Sequence, residues 1–206
     1  KKQKPLPPIG DKEKPFDLPQ GWEWIKLIGL GYTQTGGTPS KSRTEFFGKD
    51  IPFIKPGDIY QNYVDYLNEG LSFKGQEALG RTVPKGSVLM VCIGTIGKCS
   101  SIDRDCTFNQ QINSITPYLD ITAYLYKILS ANYFQSEAWE RSSSTTIAIL
   151  NKGKWEAIPV PVAPLAEQNR IVAKVDELMA LCGELEHQTE DSLTAHQILV
   201  KTLLAT

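Results

Sequence analysis

No apolar run in this 206-residue chain approaches the roughly 18 residues that a membrane-spanning helix requires. The leading stretch KKQKPLPPIGDKEKP holds no apolar segment of the kind a secretory signal needs, so a cytoplasmic chain is expected. Histidine is scarce: His187 and His196 are the only two, and both lie near the end of the sequence. The four cysteines, at 92, 99, 106 and 182, form no C-x-x-C pair, so metal-ligand spacing is missing and reduced thiols are expected. Cys92, inside VLMVCIG, reads as a small apolar core residue.

Catalytic motifs are missing too. Gly48-Lys49, Gly97-Lys98 and Gly153-Lys154 are followed by Asp, Cys and Trp, not by the Ser or Thr of a phosphate-binding loop. Gly29-x-Gly31 has Gln34 where a dinucleotide fingerprint places its third glycine. There is no G-x-S-x-G nucleophile elbow, and the histidines are far in sequence from the body that would supply a serine or cysteine partner. No Asp or Glu is followed two places later by Lys, as a nuclease half-motif would need, and no Asn-Pro dipeptide occurs. These absences point to a binding protein and not an enzyme.

The charge that is present is unevenly placed. Residues 1–160 hold 19 basic against 16 acidic residues, a surplus of +3, whereas residues 161–206 hold 3 against 7, a surplus of −4. That permits a nucleic-acid partner for the body and a different, basic partner for the tail. Residues 1–18 are rich in Pro and Lys without apolar periodicity and read as a linker or extended arm, as in a piece of a longer chain. A turn at Leu18-Pro19-Gln20-Gly21 opens a body over 19–162. Strand-like runs follow at Ile51–Ile54, Ser87–Ile93, Phe108–Ile115 and Ala157–Val162, separated by Gly, Pro, Asn and Asp. Ile121, Tyr124, Leu125, Ile128, Leu129 and Tyr133 keep helical spacing, with Asp120 placed to cap the start. Strands that do not alternate regularly with helices predict an α+β body.

Beyond Pro161 and Pro164 the pattern changes, and residues 163–206 read as one long helix. Ile171, Leu178, Leu185, Ser192 and Leu199 alternate with Val175, Cys182, Thr189, His196 and Leu203 in steps of four and three. That period of 3.5 is a coiled-coil seam. Val172, Met179, Leu193 and Val200 widen the apolar stripe beyond a two-stranded zipper. Residues 165 to 204 at 1.5 Å each make a rod of about 60 Å, more than a small domain can cover. The helix therefore calls for a partner; the competing reading is a long element packed along its own domain.

Polar side chains suited to base edges cluster in TQTGGTPSKSR, KPGDIYQNY, FNQQINS and RSSSTT, although each stretch also fits a solvated surface. The glycine loops TQTGGTPSKSR and CIGTIGK could bring backbone NH groups and a lysine to a phosphate of a polymer, or be plain turns.

The order of the motifs LPQGWEWIKL, TGGTPS, IPFIKPGDI, GSVLMVCIGTIGK, FNQQINSI, YLYKIL and IPVPVAPLAEQNRIVAKVDELMAL resembles the specificity subunit of type I restriction–modification enzymes. The resemblance covers essentially the whole chain, and the last motif is the most specific of the series. It implies a target recognition domain over 19–162 that reads one half of a split double-stranded DNA site. The helix at 163–206 would be part of the family's helical conserved region, pairing with a second helix. Its mate would belong to the same subunit's second recognition domain or to a homodimer. The implied partners are methyltransferase subunits, which hold S-adenosylmethionine, and a motor and nuclease subunit; no cofactor is expected in this chain, and no membrane. Under that resemblance the DNA-binding candidates are Thr35, Gly36, Gly37, Ser40, Lys41, Ser42 and Arg43, with Lys55, Tyr60, Gln61 and Lys98, and with Arg141, Ser142 and Ser143. The helix-interface candidates are Ile171, Val172, Val175, Leu178, Met179, Cys182, Leu185, Leu193, His196, Leu199, Val200 and Leu203. The rival reading is a DNA-independent coiled-coil scaffold whose body binds protein.

Overall fold

A computed structural model describes residues 8–143 and 146–204; the side chains of Lys12, Ile198, Leu199, Thr202 and Leu203 fall outside the description. The chain divides into two compact units, 1–164 and 165–206.

Strands β1 (Glu23–Lys26), β2 (Gly31–Thr35), β3 (Phe47–Ile54), β4 (Ile59–Tyr60), β5 (Tyr63–Val64) and β6 (Gly70–Leu71) precede a short helix, α1 (Phe73–Leu79). Next come β7 (Val88–Val91), β8 (Cys99–Ser101), β9 (Thr107–Phe108) and β10 (Ile112–Pro117). Helices α2 (Thr122–Ser130), α3 (Asn132–Glu140) and α4 (Lys152–Glu156), strand β11 (Pro159–Val162) and helix α5 (Leu165–Leu204) complete the chain. The fold is α+β, with mixed sheets and a long C-terminal helix. Among the described residues no helix is long and apolar enough to cross a membrane.

The central sheet has the order β2-β10-β7-β8, every neighbour antiparallel. Its β7 strand, VLMV, is buried at all four positions, which is why it reads as a continuous apolar run without alternation. Trp155 on α4 is fully buried, and its indole Nε1 meets the Met90 sulfur at 3.3 Å. A second sheet, β6-β3-β9, shares the core through Ile54 and Phe108.

The body closes by pairing its first strand with its last. Trp24 lies opposite Pro161, and Lys26 opposite Pro159, in a two-stranded ribbon where proline's missing NH is tolerated. The tyrosine hydroxyls of Tyr124 and Tyr133 donate to the carbonyls of Pro161 and Pro159, at 3.1 and 2.8 Å.

Four sequence expectations need correction. Residues 8–18 are not a free arm: Phe16 packs edge-on against Trp24 and Tyr133 at 4.9 and 5.5 Å, and Lys26 pairs with Glu13 at 3.7 Å. (Residues 1–7 of the expected arm lie outside the description.) The expected strand Phe108–Ile115 is two, β9 and β10. Between them Asn109 turns the chain by accepting the Gln111 amide on its side chain, at 3.0 Å. The helix expected from Ile121 through Tyr133 breaks at Ala131, which is extended (φ −69°, ψ 142°). Gln135 stabilises the break by donating to the Leu129 and Gly97 carbonyls at 2.5 and 2.9 Å. Asp120 does not cap: Ile121 holds that position, without a side-chain bond.

Candidate functional site

Antiparallel order places the ends of β2 and β7 and the starts of β10 and β8 along one edge of the central sheet. The loops at that edge are therefore neighbours: 36–43, 92–98 and 109–111. Two further segments join them. Ile149 bridges both Ile93 and Ser143, and the Gly94 amide donates to Ala148 at 2.9 Å. The β4–β5 hairpin is reached by Lys98, whose Nζ donates to the Pro56 carbonyl at 3.0 Å and lies 5.1 Å from the Tyr60 ring centre. Three patches far apart in sequence thus share one rim.

The glycine turn is structural at its base and open beyond it. A Cβ on Gly36 would stand 2.0 Å from the Asn109 carbonyl oxygen, so only glycine lets β2 approach that turn. The amides of Gly36 and Gly37 donate to Ile112 and Phe108 at 3.0 and 2.9 Å, which leaves neither for a phosphate. Arg81 donates to the Thr35 carbonyl at 2.6 Å, and the Thr35 hydroxyl to Asn113 at 2.8 Å. The amides of Gly94 and Gly97 are likewise committed, to Ala148 and Val91. These four glycine amides are therefore not available to a phosphate, and the exposed side chains of the loops are the better candidates for contact. Ser40, Lys41, Ser42 and Arg43 are exposed, the two serine hydroxyls 2.8 Å apart. Arg43 pairs with Glu45 at 3.0 Å and lies over the Phe46 ring.

In the second patch the structure unites Lys55, Tyr60, Gln61 and Lys98. Buried Asp58 shapes the loop, accepting from the Lys55 amide and from Asn68, each at 2.7 Å. The Lys55 ammonium is paired with Glu69, which leaves Lys98 to carry the charge next to the hairpin. Asn62, at the hairpin tip, is left-handed (φ 72°) and pinned by the Tyr126 hydroxyl, which accepts its amide at 3.2 Å and donates to its side chain at 3.1 Å.

The third patch is pinned to its own loop. Arg141 makes a two-nitrogen bond to Glu137, at 2.9 and 2.6 Å, while its carbonyl accepts from Lys154. Ser142 and Ser143 donate to the Trp139 and Ile149 carbonyls at 2.7 and 3.3 Å. Arg141 is thus less available than the exposed Lys41 and Arg43.

Two rim residues lie within the polar stretches FNQQINS and KPGDIYQNY but are not among the candidates named from the sequence. Gln110 is exposed and accepts from Thr38 at 2.5 Å, tying the first patch to the 109–111 turn. Tyr63 stacks on Tyr60, ring centres 4.5 Å apart and 3° from parallel. The signal was present in YQNYV, two tyrosines flanking a two-residue turn.

Within α5, Ile171, Val172 and Val175 are half-buried, while Leu178, Met179, Cys182, Leu185, Leu193, His196 and Val200 are exposed. Leu199 and Leu203 lie outside the described side chains. Thr189 returns its hydroxyl to the Leu185 carbonyl at 2.7 Å, so this polar seam position satisfies itself within the helix. Cys182 is exposed; Cys92, Cys99 and Cys106 are buried.

The family model described as "Type I restriction modification DNA specificity domain" matches residues 19–195. The chain is 32% identical to the type I restriction enzyme EcoAI specificity subunit and 31% identical to the EcoEI specificity subunit, both of Escherichia coli. Each match spans 100% of this chain but only 36% of the relative. A crystal structure of the HsdS subunit from Thermoanaerobacter tengcongensis shares the fold, with TM-score 0.67 and 22% identity over 84% of this chain and 41% of that one. A chain from a structure of type I R-M complex assembly aligns with TM-score 0.71, at 22% identity over 86% of this chain and 43% of that one. The chain belongs to the type I restriction modification DNA specificity domain family.

Proposed function

We propose that residues 19–162 recognise one half of a bipartite double-stranded DNA target and that the long helix docks methyltransferase subunits. The observation that carries this reading is the convergence of the three polar patches on one rim of the central sheet. Serine, glutamine, lysine and arginine side chains there match the donor and acceptor pattern of a major groove. The exposed apolar residues of α5 match what a helix-pairing seam needs. The second helix belongs to another recognition domain, in the same subunit or in a homodimer mate.

The chain has the role of a reader. Methyl transfer, with its S-adenosylmethionine, belongs to the partner methyltransferase, and translocation and cleavage belong to a motor and nuclease subunit, all in the cytoplasm. The body's small positive surplus suits this division, because partner subunits supply much of the phosphate neutralisation. The test is methylation by a reconstituted complex carrying Arg43→Ala or Lys98→Ala. Each substitution is expected to slow methylation of the cognate site about tenfold, as for loss of one good base or phosphate contact. Unchanged methylation with both variants would remove these residues from the interface.

A further inference from the structure

The β4–β5 hairpin presents an aromatic surface that reading an intact duplex does not require. Tyr60 and Tyr63 are stacked with ring centres 4.5 Å apart, and both are exposed, at 41% and 56%. Aromatic pairs directly opposite on two strands stabilise a hairpin by packing on each other. Here both rings remain in contact with water, and Tyr63 is the more exposed of the two. The pair is held firmly: Lys98 lies 5.1 Å from the Tyr60 ring centre and is fixed by the Pro56 carbonyl, and the Tyr126 hydroxyl clamps Asn62 between the two strands. The entropy of ordering such a platform is already met in the folded body.

We infer that the Tyr60–Tyr63 platform stacks on a nucleotide that has left the double helix. Base faces inside a duplex are covered by their neighbours, so a free aromatic face gains a base only where stacking is broken. Enzymes that modify a base extract it from the stack, which breaks stacking at the modified site. The inference rests on the DNA-reading role proposed above and adds a preference for distorted DNA.

The test is fluorescence anisotropy of the 206-residue chain at low ionic strength. It uses mixed-sequence duplexes that are either perfectly paired or carry one unpaired base. The chain is expected to prefer the bulged duplex about tenfold, equivalent to about 1.4 kcal/mol and within the range of base–aromatic stacking. Tyr63→Ala should abolish the preference, and Tyr63→Trp should retain it. Lys98→Ala should weaken both duplexes and flatten the salt dependence. Equal binding of the two duplexes by the unaltered chain, or a preference that survives Tyr63→Ala, overturns the inference and leaves the reading role standing. Failure to bind either duplex at low salt overturns both.

Discussion

The body and the long helix use the same apolar residue types in opposite ways. In the body, Leu27, Leu89, Ile112, Leu125, Phe134 and Trp155 are fully shielded from water. In α5, Leu178, Met179, Leu185 and Leu193 are each about half exposed or more. The body's strands meet that requirement within the chain, because each one lies against a neighbour. Beyond Val175 the 40-residue helix is exposed at every described side chain, and side chains three and four apart on a helix shield each other incompletely. Spacing explains the difference: period-two and continuous runs close on themselves, whereas a 3.5-residue seam is complete only against another helix. Stability should therefore reside in the body, and the helix should respond to its partners.

The largest effect expected from that contrast is in the core. Trp155→Ala should cost about 3–5 kcal/mol, as truncation of a buried aromatic does, in urea denaturation followed by fluorescence of the remaining tryptophans. Leu185→Ala, at a 62% exposed site, should change the same transition by no more than about 0.5 kcal/mol while weakening helix-mediated association. A comparable loss from both would erase the distinction.

Gly36→Ala should rank next, at about 1–3 kcal/mol, because the added methyl collides with a carbonyl of the Asn109 turn that cannot swing aside. Gly183→Ala, in the helix with open space around it, should be neutral or slightly stabilising in the same assay.

A smaller, pH-dependent effect also separates the regions. Burial pushes the Cys92 and Cys106 thiols from 9.0 up to about 12. Between those limits the unfolded chain gives up protons that the native body retains, so the body's stability should fall as pH rises above about 9. Urea midpoints compared at pH 8 and pH 10.5 check the sign. At neutral pH a thiol reagent should modify Cys182 alone, with all four cysteines reacting in denaturant.

The long helix was legible because its pattern persists for many turns after two prolines. Strand β7 was legible because a fully buried strand shows as an uninterrupted apolar run. The shorter elements left signals that tertiary context had to amplify. Helix α1 begins at Ser72, whose hydroxyl accepts the Gly75 amide at 3.1 Å, and ends at left-handed Gly80. Both residues are recognisable caps, but seven residues between them give too little periodicity. The break at Ala131 involves no Gly or Pro; it depends on Gln135 reaching two carbonyls that no local pattern announces. Of the candidate site, polarity marked the loops but not their roles. Gly36 is dictated by a close backbone approach, Arg141 is bound to Glu137, and Tyr63 is placed by a hairpin that joins Lys98 only in three dimensions.

The central claim is that the body reads DNA while the helix recruits the rest of the machinery. The most direct measurement is a band-shift salt titration on duplex carrying the target, with and without a methyltransferase subunit of the N-P-P-F type. The chain alone should retard the duplex only at low salt. A complex that survives physiological salt should form when the partner is added, and it should be lost when Leu178 and Leu185 are both replaced by Asp. Tight binding of the chain alone to random duplex at physiological salt would contradict the account, as would a partner that has no effect on the shift.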